Sequence, residues 1–399
     1  MAHPLRFPSP AGAVDVLLIA GEHSGDQHGA RLIKDLFRKN PSLKVAALGG
    51  PEIARSGAQF LFDLTASSVV GFVEVVKNLP FFKQVFEATL SWISEYKPRA
   101  VVFVDYPGLN LRLAKAMFER GLSRKAGGPI RALYYISPQI WAWKAGRRFK
   151  MAEHLDGMAV IFPFEIESYG DTRLPVEFVG HPFVERDYEP PVAYDKDAPV
   201  LLLPGSRRQA VRRIFPPMLA GFQRFGERGA VVICPSRAIE ETLRAANPPA
   251  NVEIRRLDEN HAVEIGAASS SAVSVAGQAR TPIPASAVLT SSGTMSMHCA
   301  LAAIPGAIVY RTNPITYLIA RRLVKIPFIG IANLLLREAV YPEYIQGAAQ
   351  PEALGRELRD CIHNLDRVRR TAELAAKLRA ILRQPTSGSA ADWVEKFLR

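Results

Sequence analysis

Short runs of consecutive apolar residues alternate along this chain with longer stretches in which apolar residues recur at helical spacing. Runs that are apolar at every position suit strands buried on both faces, and their alternation with helices marks repeated βα units around a parallel sheet. The pattern predicts strands at Val14–Ala20, Val45–Leu48, Ala100–Val104, Ala132–Ile136, Met158–Ile161 and Glu177–Val179, with a helix from about Gly25 to Lys39 after the first. A polar, proline-rich stretch without periodicity, Arg186–Pro199, reads as a linker. A second series predicts strands at Val200–Leu203, Ala230–Cys234, Val252–Arg255, Ala287–Thr290 and Ala307–Tyr310. The Ser-, Ala- and Pro-rich stretch Ser269–Ser286 reads as a mobile loop or insertion, and Pro351–Arg399 as arginine-rich helices.

The expected fold class is α/β, with two Rossmann-like doubly wound domains facing a central cleft. Residues 1–186 form the first domain and residues 187–199 the linker. Residues 200–350 form the second domain, and residues 351–399 are helices that pack back towards the first domain. Folds of this kind bind ligands at the carboxyl ends of their strands. A two-domain glycosyltransferase, a dehydrogenase and a periplasmic-type binding protein all share that plan. The turn after the first strand reads GEHSGD and not G-x-G-x-x-G, which disfavours the dehydrogenase.

Composition narrows the classes further. The 399 residues, 48% hydrophobic and 22% charged, suit two or three globular domains and exclude general disorder. No apolar run approaches the ~18 residues of a membrane-spanning helix, and the proline-rich start does not read as a signal peptide. Cys234, Cys299 and Cys361 lie too far apart for metal spacing or a disulfide framework, so the chain reads as cytoplasmic. Fifty Lys and Arg against 38 Asp and Glu leave a net charge of +12, which calls for anionic partners. The basic residues gather in small groups, at Lys144–Lys150, Arg207–Arg213, Arg321–Lys325 and Arg367–Arg370, without any nucleic-acid-binding pattern.

Chemistry concentrates where strands end. Glu22, Ser24, Gly25 and Asp26 lie in a glycine turn that either offers backbone N–H groups to an anion or sugar hydroxyl or simply caps the helix. Asp105, followed by Pro107, Gly108 and Asn110, stands where a general base is needed, though such a residue also makes ordinary Asx-turns. Ser137, Trp141 and Trp143, followed by Arg147 and Arg148, form a sugar or acyl-chain platform, or a buried Trp beside a solvated basic turn. Two further strand-to-helix turns, Gly205-Ser206-Arg207 and Gly293-Thr294, together suit a nucleotide diphosphate. His181 before Pro182 reads as structural rather than catalytic. Asp195-Lys196-Asp197 has the look of a metal-chelating D-x-D but no strand before it. Val73 lies in the apolar run Val69–Val76, and Phe82 begins an apolar arc through Val85, Phe86, Leu90 and Ile93. That arc is a core helix first and a membrane-surface patch or acyl groove second.

Taken in order, GEHSGD, DYPGLN, YYISPQIWAW, IFPFE, VGHP, LLLPGSR, SSGT, Ala332-Asn333 and PEYIQ resemble the lipid-A-disaccharide synthase family over roughly Val14–Gln346. The resemblance implies a GT-B fold and an inverting β-1,6 glucosaminyl transfer without metal or other cofactor. The donor would be UDP-2,3-diacylglucosamine, the acceptor 2,3-diacylglucosamine 1-phosphate, and UDP the leaving product. It makes Asp105 the base, and Gly205, Ser206, Arg207, Gly293, Thr294, His298, Asn333 and Gln346 the nucleotide side. It also implies a protein peripheral to an anionic inner membrane, with no nucleic-acid partner, and leaves room for a homodimer.

Two positions depart from the family pattern. Ala210 stands where a Glu is usual after G-S-R, and His298 where a Glu grips the ribose. Histidine offers one hydrogen bond where a carboxylate offers a pair. A paralogue using another UDP-sugar or acyl-sugar, a 2-epimerase or peptidoglycan glucosaminyltransferase on the same fold, and a catalytically weak nucleotide- or lipid-binding protein stay open alternatives.

Overall fold

The structure, a computed structural model, describes residues 5–65, 79–184, 188, 190–256, 281–323 and 326–399. The chain divides into two compact units: Met1–Pro182 with Leu382–Arg399, and Phe183–Ile381.

In the first unit, β1 (Val16–Ala20), β2 (Val45–Gly49), β3 (Gln59–Asp63), β4 (Ala100–Val104), β5 (Arg131–Tyr135), β6 (Gly157–Val160) and β7 (Val176–Phe178) make one parallel sheet in the order β3-β2-β1-β4-β5-β6-β7. Every residue of β1, β2 and β4 is buried, as expected for strands covered on both faces. The connecting helices include α1 (His23–Lys39), α2 (Pro51–Ala54), α3 (Leu79–Tyr96), α4 (Pro107–Glu119) and α5 (Arg147–His154). Strand β3 escapes the sequence reading because it is an edge strand, with only Leu61 of its five residues fully buried.

The second unit repeats the plan. Strands β9 (Val200–Leu203), β10 (Ala230–Cys234), β11 (Val252–Arg256), β13 (Ala287–Thr290), β14 (Gly306–Tyr310) and β15 (Glu343–Ile345) pair in parallel as β11-β10-β9-β13-β14-β15. Around them lie α6 (Arg208–Phe225), α7 (Arg237–Arg244), α8 (Thr294–Leu301), α9 (Pro314–Leu323), α10 (Ile331–Leu336), α11 (Pro351–His363) and α12 (Leu365–Leu382). Two short strands stand apart: β8 (Val192–Tyr194), inside the stretch read as a linker, pairs in parallel with β12 (Ile283–Ala285). Three residues each are too few for a periodic signal. Most of Ser269–Ser286 lies outside the described residues.

The C-terminal helices divide between the units. Helices α11 and α12 stay with the second, whereas α13 (Ala390–Leu398) belongs to the first. Lys39 pairs with Asp392 at 2.7 Å and Lys396 with Glu177 at 2.6 Å. The Phe397 ring also fills the space that a side chain at Gly157 would need.

Both sheets reverse their strand order beside the first strand of the series, between β1 and β4 and between β9 and β13. A crevice opens at such a reversal, because the connections on its two sides run to opposite directions.

Candidate active site

GEHSGD follows β1 and DYPGLN follows β4, so the first unit brings these two motifs to one reversal. They touch there: a Cβ at Gly21 would collide with the Tyr106 ring, so only glycine fits. Asp105 and Tyr106 are both left-handed, at φ 47° and 49°, a conformation costly for residues other than glycine. Three hydrogen bonds pin the turn. Asp105 N donates to Tyr135 O at 3.0 Å, and Asp105 O accepts from Tyr134 Oη at 2.5 Å and from Asn110 Nδ2 at 2.8 Å. Burial and the nearby Asp105 charge push the Tyr134 hydroxyl well above its usual range, so it stays a donor. Pro107 then starts α4 with its φ already set. The result is a carboxylate at a strand's carboxyl end, on a backbone held rigid from behind.

Around it the predicted residues separate by direction. Glu22 caps α1 from an extended conformation, and Ser24 and Gly25 lie in its first turn with no side-chain cap on the helix end. Asp26 turns inward instead. It is fully buried, and its carboxylate accepts from Gly50, Glu52 and Ile53 N–H at 2.7, 3.0 and 3.0 Å, capping α2. Asn110 is likewise buried, spanning the reversal with Nδ2 near Ile19 O, Val104 O and Asp105 O, while its Oδ1 has no partner. Asp26 and Asn110 therefore brace the backbone that forms the crevice.

Ser137 is buried and bonded to Tyr169 Oη at 2.6 Å. The two tryptophans part company: Trp141 donates to Glu165 Oε1 at 3.3 Å and meets Phe164 edge-on, whereas Trp143 is 44% exposed. Glu165, to which the sequence reading gave no role, is the main addition. It is 1% exposed, also accepts from Phe162 N–H at 3.2 Å, and lies within electrostatic reach of Asp105. Burial pushes its carboxyl up to about 8, with the Asp105 charge adding to the shift and the bonds from Phe162, Trp141 and Ile161 opposing it. A lone carboxylate in the aromatic run IFPFE was the available signal. His181 is buried with its ring 5.2 Å from that of Phe162. Phe82 is half-buried against Phe81, on a helix whose Val85, Leu90 and Ile93 join the core; Val73 lies outside the described residues.

In the second unit LPGSR follows β9 and SSGT follows β13, again one reversal. Gly205 holds φ 111°, and a Cβ there would press Ser291 Oγ at 3.2 Å. Ser206, Arg207, Gly293 and Thr294 are all exposed. Helices α6 and α8 start at these turns, capped by Arg207 and Gly293 in extended conformation and by no side chain. Two helix N-termini without a side-chain cap, one of them beside Arg207 and Arg208, form an anion-binding arrangement.

Three predicted nucleotide residues are engaged elsewhere. Asn333 is fully buried and spends its amide on Tyr341 O, Glu343 Oε1, and the N–H groups of Val340 and Tyr341. Glu343 itself braces Ile329 and Gly330 N–H. The Gln346 amide clamps Thr312, accepting from its N–H at 3.0 Å and donating to its carbonyl at 3.2 Å. His298 is 9% exposed, with its ring 3.9 Å from that of Phe183 and its Nδ1 bonded to Tyr188 Oη. A flat imidazole fits that stack where a glutamate would not. Ala210 rests against the apolar core, which accounts for a small side chain there. Asp195 Oδ1 accepts from Asp197 N–H, closing a turn after β8.

A family model described as lipid-A-disaccharide synthetase matches residues 16–397. The chain belongs to that family. A lipid-A-disaccharide synthase of Geobacter metallireducens is 33% identical over 361 residues, spanning 87% of this chain and 88% of that one. Another, of Anaeromyxobacter sp., is 33% identical over 394 residues, spanning 94% and 95%. Among solved structures, the kitacinnamycin glycosyltransferase aligns at TM-score 0.56 and 13% identity over 97% of this chain and all of the other. Arabidopsis thaliana UGT89C1 aligns at 0.57 and 12%, with the same coverage. These identities carry the fold, which is that of GT-B glycosyltransferases. Family membership makes the chain a glycosyltransferase of lipid A disaccharide synthesis and decides against the 2-epimerase and the peptidoglycan glucosaminyltransferase.

Proposed function

We propose that the chain transfers 2,3-diacylglucosamine from UDP to the 6-hydroxyl of 2,3-diacylglucosamine 1-phosphate, with inversion, giving the β-1,6 disaccharide 1-phosphate and UDP. The observation that carries this reading is Asp105, a carboxylate at the first reversal on a backbone strained at two successive residues. As the acceptor oxygen bonds to the anomeric carbon, its proton passes to Asp105 and the bond from that carbon to the diphosphate breaks. The leaving diphosphate gains charge, and the starts of α6 and α8 with Arg207 supply the fixed positive field that stabilises it. Both substrates carry acyl chains, and among the described residues no helix is long and apolar enough to cross a membrane. Together with the +12 charge, this supports a peripheral protein on the inner membrane's anionic face.

The test is UDP release with the two acylated substrates. Asp105→Asn should lower turnover by ~100-fold or more, the usual weight of a general base, and leave UDP affinity unchanged. Unchanged turnover would remove Asp105 from the chemistry. The His298 stack favours a second reading, a retuned nucleotide pocket; a loss of turnover in His298→Glu would support it.

A further inference from the structure

Resting on the peripheral-membrane reading above, we propose that the segment Trp143–Lys150 is the surface that docks on an anionic phospholipid bilayer. Among the described residues six large hydrophobic side chains are exposed, and three of them, Trp143, Phe149 and Ile166, lie in the stretch that runs from WAW to the residue after IFPFE. Trp143 is 44% and Phe149 52% exposed. Helix α5 buries Met151 and His154, which turns Phe149 and Lys150 to its outer face.

Cations frame both rings. Lys144 Nζ lies 4.5 Å and Arg147 Cζ 5.0 Å from the Trp143 ring centre, and Arg148 Cζ lies 4.3 Å from that of Phe149. Arg148 is neutralised by Asp171, at 2.6 Å from Nε, so Lys144, Arg147 and Lys150 carry the net charge of the patch. Aromatic rings flanked by long cationic side chains suit the headgroup layer: the rings enter the acyl boundary while ammonium and guanidinium groups meet phosphates. Charge complementarity thus selects an anionic lipid surface as the occupant. The patch also adjoins the chemistry. Arg147 acts electrostatically on Tyr134, whose hydroxyl holds the Asp105 backbone, so an acyl-sugar arriving from the bilayer would meet the base without leaving the surface.

Sedimentation of the full chain with vesicles of phosphatidylcholine, alone or mixed with phosphatidylglycerol, tests the assignment. The native protein should partition to the mixed vesicles only, and salt should release it. The combined change Lys144→Glu, Phe149→Ser and Lys150→Glu should weaken that partition roughly 30-fold or more. Turnover on detergent-dispersed substrates should stay the same. A control with the same charge change on the second unit, Lys196→Glu with Lys377→Glu, should weaken partition less than about threefold if docking is local. Equal partition of the patch variant and the native chain overturns the docking face and spares the membrane reading. No partition of the native chain overturns both. A raised KM for dispersed acceptor in the patch variant overturns it in another way, showing that these cations hold the acceptor's phosphate instead of a bilayer.

Discussion

Glu165→Gln isolates the one buried carboxyl that the site keeps protonated. An unfolded glutamate releases its proton near 4.5, whereas the folded one holds it to about 8. Across that window the unfolded chain binds fewer protons, so stability falls as pH rises from 4.5 and levels off above 8. The displacement of about 3.5 units amounts to ~5 kcal/mol at 1.36 kcal/mol per unit, a large share of the 5–15 kcal/mol typical of a folded domain. Glutamine keeps the shape of the protonated acid, but Trp141 Nε1 and Phe162 N donate to different oxygens of Glu165 and its amide offers only one, so the variant loses ~1–2 kcal/mol. The variant should therefore be less stable than the native chain at pH 5 and more stable at pH 9, with the two curves crossing between. Urea midpoints of both proteins over this range read the difference directly, since every other titrating group is common to both. A native-minus-variant difference that stays flat with pH would refute the protonated carboxyl and with it the electrostatic link to Asp105.

Tyr134→Phe removes the 2.5 Å bond to the strained Asp105 carbonyl. Turnover should fall about tenfold with donor KM unchanged, at a stability loss of ~1 kcal/mol, as steady-state kinetics and thermal unfolding would show. Asp26→Asn keeps Oδ1 for Gly50 and Ile53 but sets an N–H₂ against Glu52 N–H; denaturation should show a loss of ~2 kcal/mol with KM values unmoved. Gly205→Ala forces a Cβ onto φ 111° beside Ser291, and calorimetry should find UDP affinity reduced at least tenfold in a chain that still folds.

Much of this architecture was legible because parallel strands buried on both faces announce themselves as unbroken apolar runs. Ala100–Val104, Val200–Leu203, Ala230–Cys234 and Ala287–Thr290 coincide with the observed strands residue for residue. The edge strands β3 and β15 and the three-residue pair β8 and β12 lack that signature, since their residues are mostly half-exposed or too few. The motifs were legible as turns at strand ends. What the sequence could not say was which side chain in a turn points where. Asp26, Asn110 and Asn333 are short polar residues beside N–H and carbonyl groups that the strand and helix ends leave unpaired, and all three hydrogen-bond to that backbone.

The same competition explains why the positions that remain available are the ones they are. At the second reversal the helix starts after Arg207 and Gly293 have no side-chain cap, so an incoming anion meets donors already oriented. At the first, the Asp105 carbonyl and N–H are satisfied by Tyr134, Asn110 and Tyr135, so the turn that carries the carboxylate is held by its own backbone. Asp26, spent on the N–H groups of α2, and Asp105, on a turn braced by other residues, are thus two outcomes of one accounting. At each reversal the fold consumes the polar side chains it needs to close its helix and strand ends, and what it does not consume is left for chemistry.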